Sequence, residues 1–98
     1  MQLTEFKWMP KPPSIPRYVD KGNQIVLDFG TYELSIIDDG YGGDLGLYEI
    51  AVFKGNSQVE LPGITRKGDT VQGFLTEQDV DGIIKKMYTI TGVEPTQV

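Results

Sequence analysis

The stretch Thr76-Glu77-Gln78-Asp79-Val80-Asp81-Gly82-Ile83-Ile84-Lys85-Lys86-Met87-Tyr88-Thr89-Ile90-Thr91-Gly92 decides the fold. Val80, Ile83, Ile84, Met87 and then Tyr88 or Ile90 recur at three- and four-residue spacing, which puts apolar side chains on one stripe of an α-helix. Thr76 is placed to cap the first turn, with Asp79 standing where a capping box wants Glu or Gln. Glu77, Asp79 and Asp81 put negative charge where the helix macrodipole favours it, and Lys85 and Lys86 fall toward the opposite end. Gly92 is the natural left-handed stop, and Pro95 forbids resumption. Gly82 costs about 1 kcal/mol relative to alanine in a helix interior, so it either admits close packing or is simply tolerated. Residues 93–98 are expected to fray.

A helix with one apolar stripe needs a surface to lie on, and the residues before it supply a sheet. Asp20-Lys21-Gly22-Asn23 has turn composition, after which Gln24 to Asp28 carries the β-branched, apolar run Ile25-Val26-Leu27. Phe29-Gly30 is a short connection of hairpin type. From Thr31 to Ile37, Tyr32, Leu34 and Ile36 share one face and Glu33 and Ser35 the other. Leu47 to Phe53 is the strongest strand, apolar on both faces around Glu49, as in a central strand or one covered twice. A short strand from Gln58 to Leu61 is cut off by Pro62-Gly63. Thr70 to Leu75 is the last, with Gly73 hinting at a bulge or a close backbone approach. The expected fold class is α+β: an antiparallel sheet of four or five strands, one C-terminal amphipathic helix packed on it, and an extended proline-rich arm.

That arm is residues 1–23, followed by a domain over 24–92. Pro10, Pro12, Pro13 and Pro16 fix φ and remove amide donors, so the segment reads as extended and not helical. Leu3, Phe6, Trp8 and Met9 carry apolar area that must dock either on this sheet or on a partner.

The composition excludes much chemistry. There is no cysteine and no histidine in the 98 residues, which removes disulfides, thiolate nucleophiles, histidine bases and the usual zinc ligands. No cofactor is expected. The net charge of −5 argues against nucleic acid, which calls for clustered cations. Apolar runs fall far short of the roughly 20 residues that span a bilayer, and Met1 to Trp8 lacks the basic and apolar regions of a secretory signal. No membrane association and a cytoplasmic location are the expectations.

The least ordinary segment is Asp38-Asp39-Gly40-Tyr41-Gly42-Gly43-Asp44-Leu45-Gly46. As a calcium loop it would put Gly43 at the turn position, but Gly40 and Gly42 stand where ligand oxygens belong, and Glu49 lies in a strand. As a phosphate loop it lacks the following helix and the Walker ending, and its acids would repel the anion. As an acid pair, Asp38 and Asp39 point to opposite faces of a strand end. The remaining readings are a plain strand connection and a recognition loop with Tyr41 as an aromatic anchor rimmed by Asp38, Asp39 and Asp44. Arg66-Lys67 and Lys85-Lys86 are too sparse in sequence for a nucleic-acid patch and read as solvated surface.

Tyr32-Glu33-Leu34-Ser35-Ile36-Ile37, Tyr41-Gly42-Gly43 with Gly46-Leu47-Tyr48-Glu49-Ile50-Ala51-Val52, and Val71-Gln72-Gly73-Phe74-Leu75-Thr76-Glu77-Gln78-Asp79-Val80 together resemble small acidic accessory proteins of unassigned function encoded by tailed bacteriophages. The resemblance spans residues 24–92. It implies an intracellular accessory protein acting in the host cytoplasm and brings no catalytic residues with it. The expected function is non-enzymatic binding of a protein partner, with Asp38, Asp39, Tyr41 and Asp44 on the loop and Phe6 and Trp8 on the arm as contact residues. The alternatives are a virion or assembly component that oligomerises through its arm, and a small-ligand binder or enzyme using the 38–46 loop.

Overall fold

The computed structural model describes residues 1–11 and 22–98. Pro12, Pro13 and Pro16, on which most of the expected polyproline arm rests, lie outside the described residues. The fold is α+β: an antiparallel sheet with one C-terminal helix. Its strands are β1 (Met9–Pro10), β2 (Asn23–Asp28), β3 (Glu33–Ile37), β4 (Tyr48–Lys54), β5 (Ser57–Val59), β6 (Val71–Leu75) and β7 (Thr96–Gln97), and α1 runs Glu77–Thr91.

Three full strands, β2, β3 and β4, form the middle of the sheet. Each outer edge is then shared by two short strands. β1 pairs with the start of β2 (Met9 with Gln24) and β7 with its end (Leu27 with Gln97). On the far side, β5 pairs with the C-terminal half of β4 (Val52 with Val59) and β6 with the N-terminal half (Ala51 with Val71). The expected four or five strands are thus β2 to β6, and the count is corrected to seven among the described residues. β1 and β7, two residues each, are too short to show a period. Pro10, which has no amide to donate, is confined to the edge, where it does least harm. The tail is likewise corrected: Thr96 and Gln97 join the sheet, and the Val98 amide donates to the Val26 carbonyl at 3.0 Å.

The alternation read from the sequence becomes two cross-strand rows on the helix side. Ile25, Ile36 and Ile50 lie side by side, as do Leu27, Leu34, Val52 and Val59. The first six of these seven are fully buried, and such β-branched and aliphatic neighbours are what stabilise a sheet. The helix lays Val80, Ile83, Ile84 and Met87 on these rows. Tyr88 packs beside them while Ile90 stays half exposed, which settles which of the two continues the stripe.

Both halves of the capping box form: Asp79 N–H donates to Thr76 Oγ1 at 3.1 Å, and Thr76 N–H donates to Asp79 Oδ2 at 3.0 Å. Asp is a turn-end substitute that works because its shorter side chain still reaches the cap amide. Gly92 closes the helix at φ +69°, its amide donating to Tyr88 at 2.7 Å. The expectation for Lys85 and Lys86 needs correcting, because the last turn holds no basic residue. Both lysines lie mid-helix, too far from the end for the macrodipole to act on them.

Three of the first eleven residues pack into or against this core. Leu3 is 2% exposed, Phe6 and Trp8 pack against the cluster, and Trp8 stacks on Tyr48 with ring centroids 5.5 Å apart. Asp81 of α1 accepts the Leu3 amide at 2.7 Å. The Gln97 side-chain amide brackets the Lys7 peptide, accepting from its N–H at 2.8 Å and donating to its carbonyl. No helix among the described residues is long and apolar enough to cross a membrane.

Candidate functional site

The loop from Asp38 to Gly46 is held at its base by its two aspartates. Asp38 accepts from the Asn23 amide at 2.7 Å and from the Asn23 side chain at 3.1 Å, tying the end of β3 to the start of β2. Asp39 forms an ion pair with Lys11, with Nζ 2.8 and 2.9 Å from its oxygens. Gly22 makes room for that pair, since a Cβ there would sit 2.1 Å from the Asp39 carboxyl carbon. The two carboxylates therefore have separate partners and do not face one another. Both serve to fasten the loop.

Beyond these fasteners the chain turns through a 3₁₀ turn, Gly43–Leu45, entered by Gly42 at φ +92° and left by Gly46 at φ +74°. The turn leans on β6. Tyr41 accepts the Phe74 amide at 3.0 Å, a Cβ on Gly73 would lie 2.5 Å from the Tyr41 Cβ, and one on Gly42 would lie 3.0 Å from the Phe74 Cα. Glycine at 42 and at 73 is thus what lets the loop and strand touch backbone to backbone. The hint carried by Gly73 is realised in both forms, since the β4–β6 register also shifts between Tyr48 and Ile50.

Phe74 is the residue that sequence reasoning missed. Its φ is +56°, the one non-glycine residue with positive φ among those described, a conformation that costs an L-residue about 1–2 kcal/mol. The strain aims an aromatic ring outward, 61% exposed, next to Tyr41 at 66%. Leu45, on the same turn, is 68% exposed. Tyr41, Leu45 and Phe74 are thus three large exposed side chains close together, of which Phe74 alone sits on a strained backbone. Asp44 is exposed at the start of the turn. Of the six residues expected to contact a partner, Tyr41 and Asp44 are presented outward, Asp38 and Asp39 hold the loop, and Phe6 and Trp8 are half-buried against the core.

Beneath the loop stands Glu49. Gly40 lies over its carboxylate, where a Cβ would come within 2.5 Å of Oε1, and Oε2 is buried with no hydrogen-bond partner among the described residues. Burial pushes the Glu49 carboxyl above its ordinary range, while the Tyr41 backbone amide and the Lys11 charge pull the other way. Among the described residues no three acidic side chains converge as metal ligands.

Phe74 is the ridge between two open depressions. One, of about 740 Å³, lies between Tyr41, Arg66, Asp69 and β6. The other, of about 690 Å³, lies between Arg66, Lys67, Gln78 and Lys86, with Gly82 of α1 in its wall. Comparison with protein-family models, with curated proteins and with solved structures gave no match to this chain.

Proposed function

We propose that this protein is a non-enzymatic binding protein whose partner protein is met by Tyr41, Leu45 and Phe74. The observation that carries this reading is Phe74, an exposed aromatic held at positive φ beside an exposed tyrosine. A strained residue that leaves 61% of its surface in water gains little from folding to offset the strain, so its place in the molecule is best accounted for by a contact made outside it. The fastening of the loop by Asp38 and Asp39 supports the same reading, because a pre-ordered aromatic anchor gives up less conformational freedom on binding. The resemblance of residues 24–92 to accessory proteins of tailed bacteriophages supports a host-modulating role in the host cytoplasm.

The test is capture of partners from host cells on the tagged full chain, beside Tyr41→Ala, Phe74→Gly and the distant control Lys54→Ala. A partner retained by the parent and by Lys54→Ala and lost by the other two is the expected result. Equal capture by all four chains would remove the patch from the function.

A further inference from the structure

The sequence scatters its cations, and the fold gathers four of the nine. Lys86 donates to the Gly63 carbonyl at 3.3 Å, which brings mid-helix Lys85 and Lys86 to the loop that carries Arg66 and Lys67. All four are exposed, and neither ion pair among the described residues involves them. They line one continuous surface. The depression beside Tyr41 shares Arg66 and Phe74 with the next, and that one shares Gly63, Gly82 and Lys86 with a third, of about 490 Å³, that ends at Ile90. Two acids line the same depressions, Asp69 and Asp79, and two more stand beside them, Glu60 next to Gly68 and Asp81 next to Gly82; all four accept backbone amides, of Thr70 at 2.7 Å, Thr76 at 3.0 Å, Gly68 at 2.6 Å and Leu3 at 2.7 Å. In a chain of net charge −5, cations outnumber acids four to two along the lining of these three depressions.

We infer that the partner presents to this surface an acidic, extended peptide segment with an apolar anchor residue, the anchor meeting Phe74 and Tyr41 and the flanking acids meeting Arg66, Lys67, Lys85 and Lys86. This rests on the reading of Tyr41 and Phe74 as a binding patch and adds the chemistry of what binds. Charge complementarity selects the occupant. Opposite potentials steer encounter and reject like-charged partners, and the aromatic ridge between the cations calls for an apolar group that a phosphate backbone does not offer. Four cations against a negative chain also fall short of what releases enough counterions to hold a nucleic acid firmly. An extended segment of about ten residues is roughly 33 Å long, the scale of the molecule itself, whose principal extents are 39 × 29 × 27 Å.

Fluorescence anisotropy with the full chain tests this, using labelled peptides of about ten residues in which one phenylalanine is flanked by glutamates, by serines or by lysines, beside a duplex oligonucleotide of equal charge. The glutamate-flanked peptide should bind at least about tenfold more tightly than the serine-flanked one. That advantage should disappear in Arg66→Glu/Lys67→Glu, and at about 0.5 M salt, where exposed charges are screened, while Lys54→Glu keeps it. Circular dichroism melts establish that each variant is folded. Equal binding of the glutamate and serine peptides, no binding of either, or tighter binding of the oligonucleotide would each overturn the inference. Equal peptide binding that Tyr41→Ala still abolishes would overturn the acidic partner and leave the patch standing.

Discussion

Phe74 and Glu49 are two residues whose local chemistry runs against stability. Phe74 is mostly exposed, so replacing it with glycine removes little burial, and glycine accepts φ +56° without the strain of a Cβ. The added freedom of glycine in the unfolded chain costs a similar amount. Phe74→Gly should therefore melt within about 1 kcal/mol of the parent, whereas a glycine placed at an ordinary strand position destabilises. A much larger loss in a thermal melt would mean that the ring supports the core. Glu49 has a definite sign. Its folded-state pKa is raised above 4.5 mainly by burial, so the fold disfavours the charged form. The penalty is absent below the unfolded value, grows as pH rises through the folded value, and is complete above it. Glu49→Gln keeps an oxygen for the Tyr41 amide and removes the charge. Its melting temperature should exceed the parent's near neutral pH and converge with it as pH falls toward 4.5. A gap that stays constant across that window would assign the effect to packing instead.

At the scale of elements, the two glycines that flank the candidate surface should respond in opposite ways. Gly82 lies in α1 with nothing within 4 Å of its Cβ position, so close packing is not its reason. Gly82→Ala should stabilise the helix by about 1 kcal/mol, read as a rise in the denaturation midpoint, and at the same time roughen the wall of two depressions. Gly73 has the Tyr41 Cβ 2.5 Å from where its own would be. Because that neighbour is the root of a side chain, it cannot swing aside, and Gly73→Ala must push the loop off β6 at a cost of about 1–3 kcal/mol. Amide exchange should quicken at Phe74, whose N–H donates to Tyr41, and stay slow along α1. Slow exchange at both places would show that the contact is looser than the geometry indicates. The helix was legible in its caps, its acidic first turn and its stripe because all three are local, while Lys85 and Lys86 fell short of the last turn. The loop was legible as a turn, yet its division into fasteners and displayed residues was not, because Asn23, Lys11 and Phe74 are distant in sequence.

The whole molecule is closed by its two ends. Leu3 enters the core, Trp8 stacks on Tyr48, Gln97 clasps the Lys7 peptide, and β1 and β7 share the edge of β2. Leu3→Ala should therefore cost about 2–5 kcal/mol, as a buried leucine in a core does, measurable by urea denaturation; a cost below about 1 kcal/mol would mean that the N-terminal turn is a loose attachment. Of the apolar residues that suggested an arm, Leu3 is buried and Phe6 and Trp8 pack partly against the core, while Met9 stays exposed. What the sequence determined by itself is the set of local periods and stops: the helix between Thr76 and Gly92 with its apolar stripe, the strands β2 to β6, and the apolar face of β3. These depend only on side chains a few residues apart, which a backbone of fixed pitch places on one face. Only the tertiary structure decided that the ends complete the sheet, that Phe74 is turned outward, and that Lys86 meets Gly63 across 23 residues of chain. Such meetings are set by how whole elements pack, and no period in a linear sequence records them.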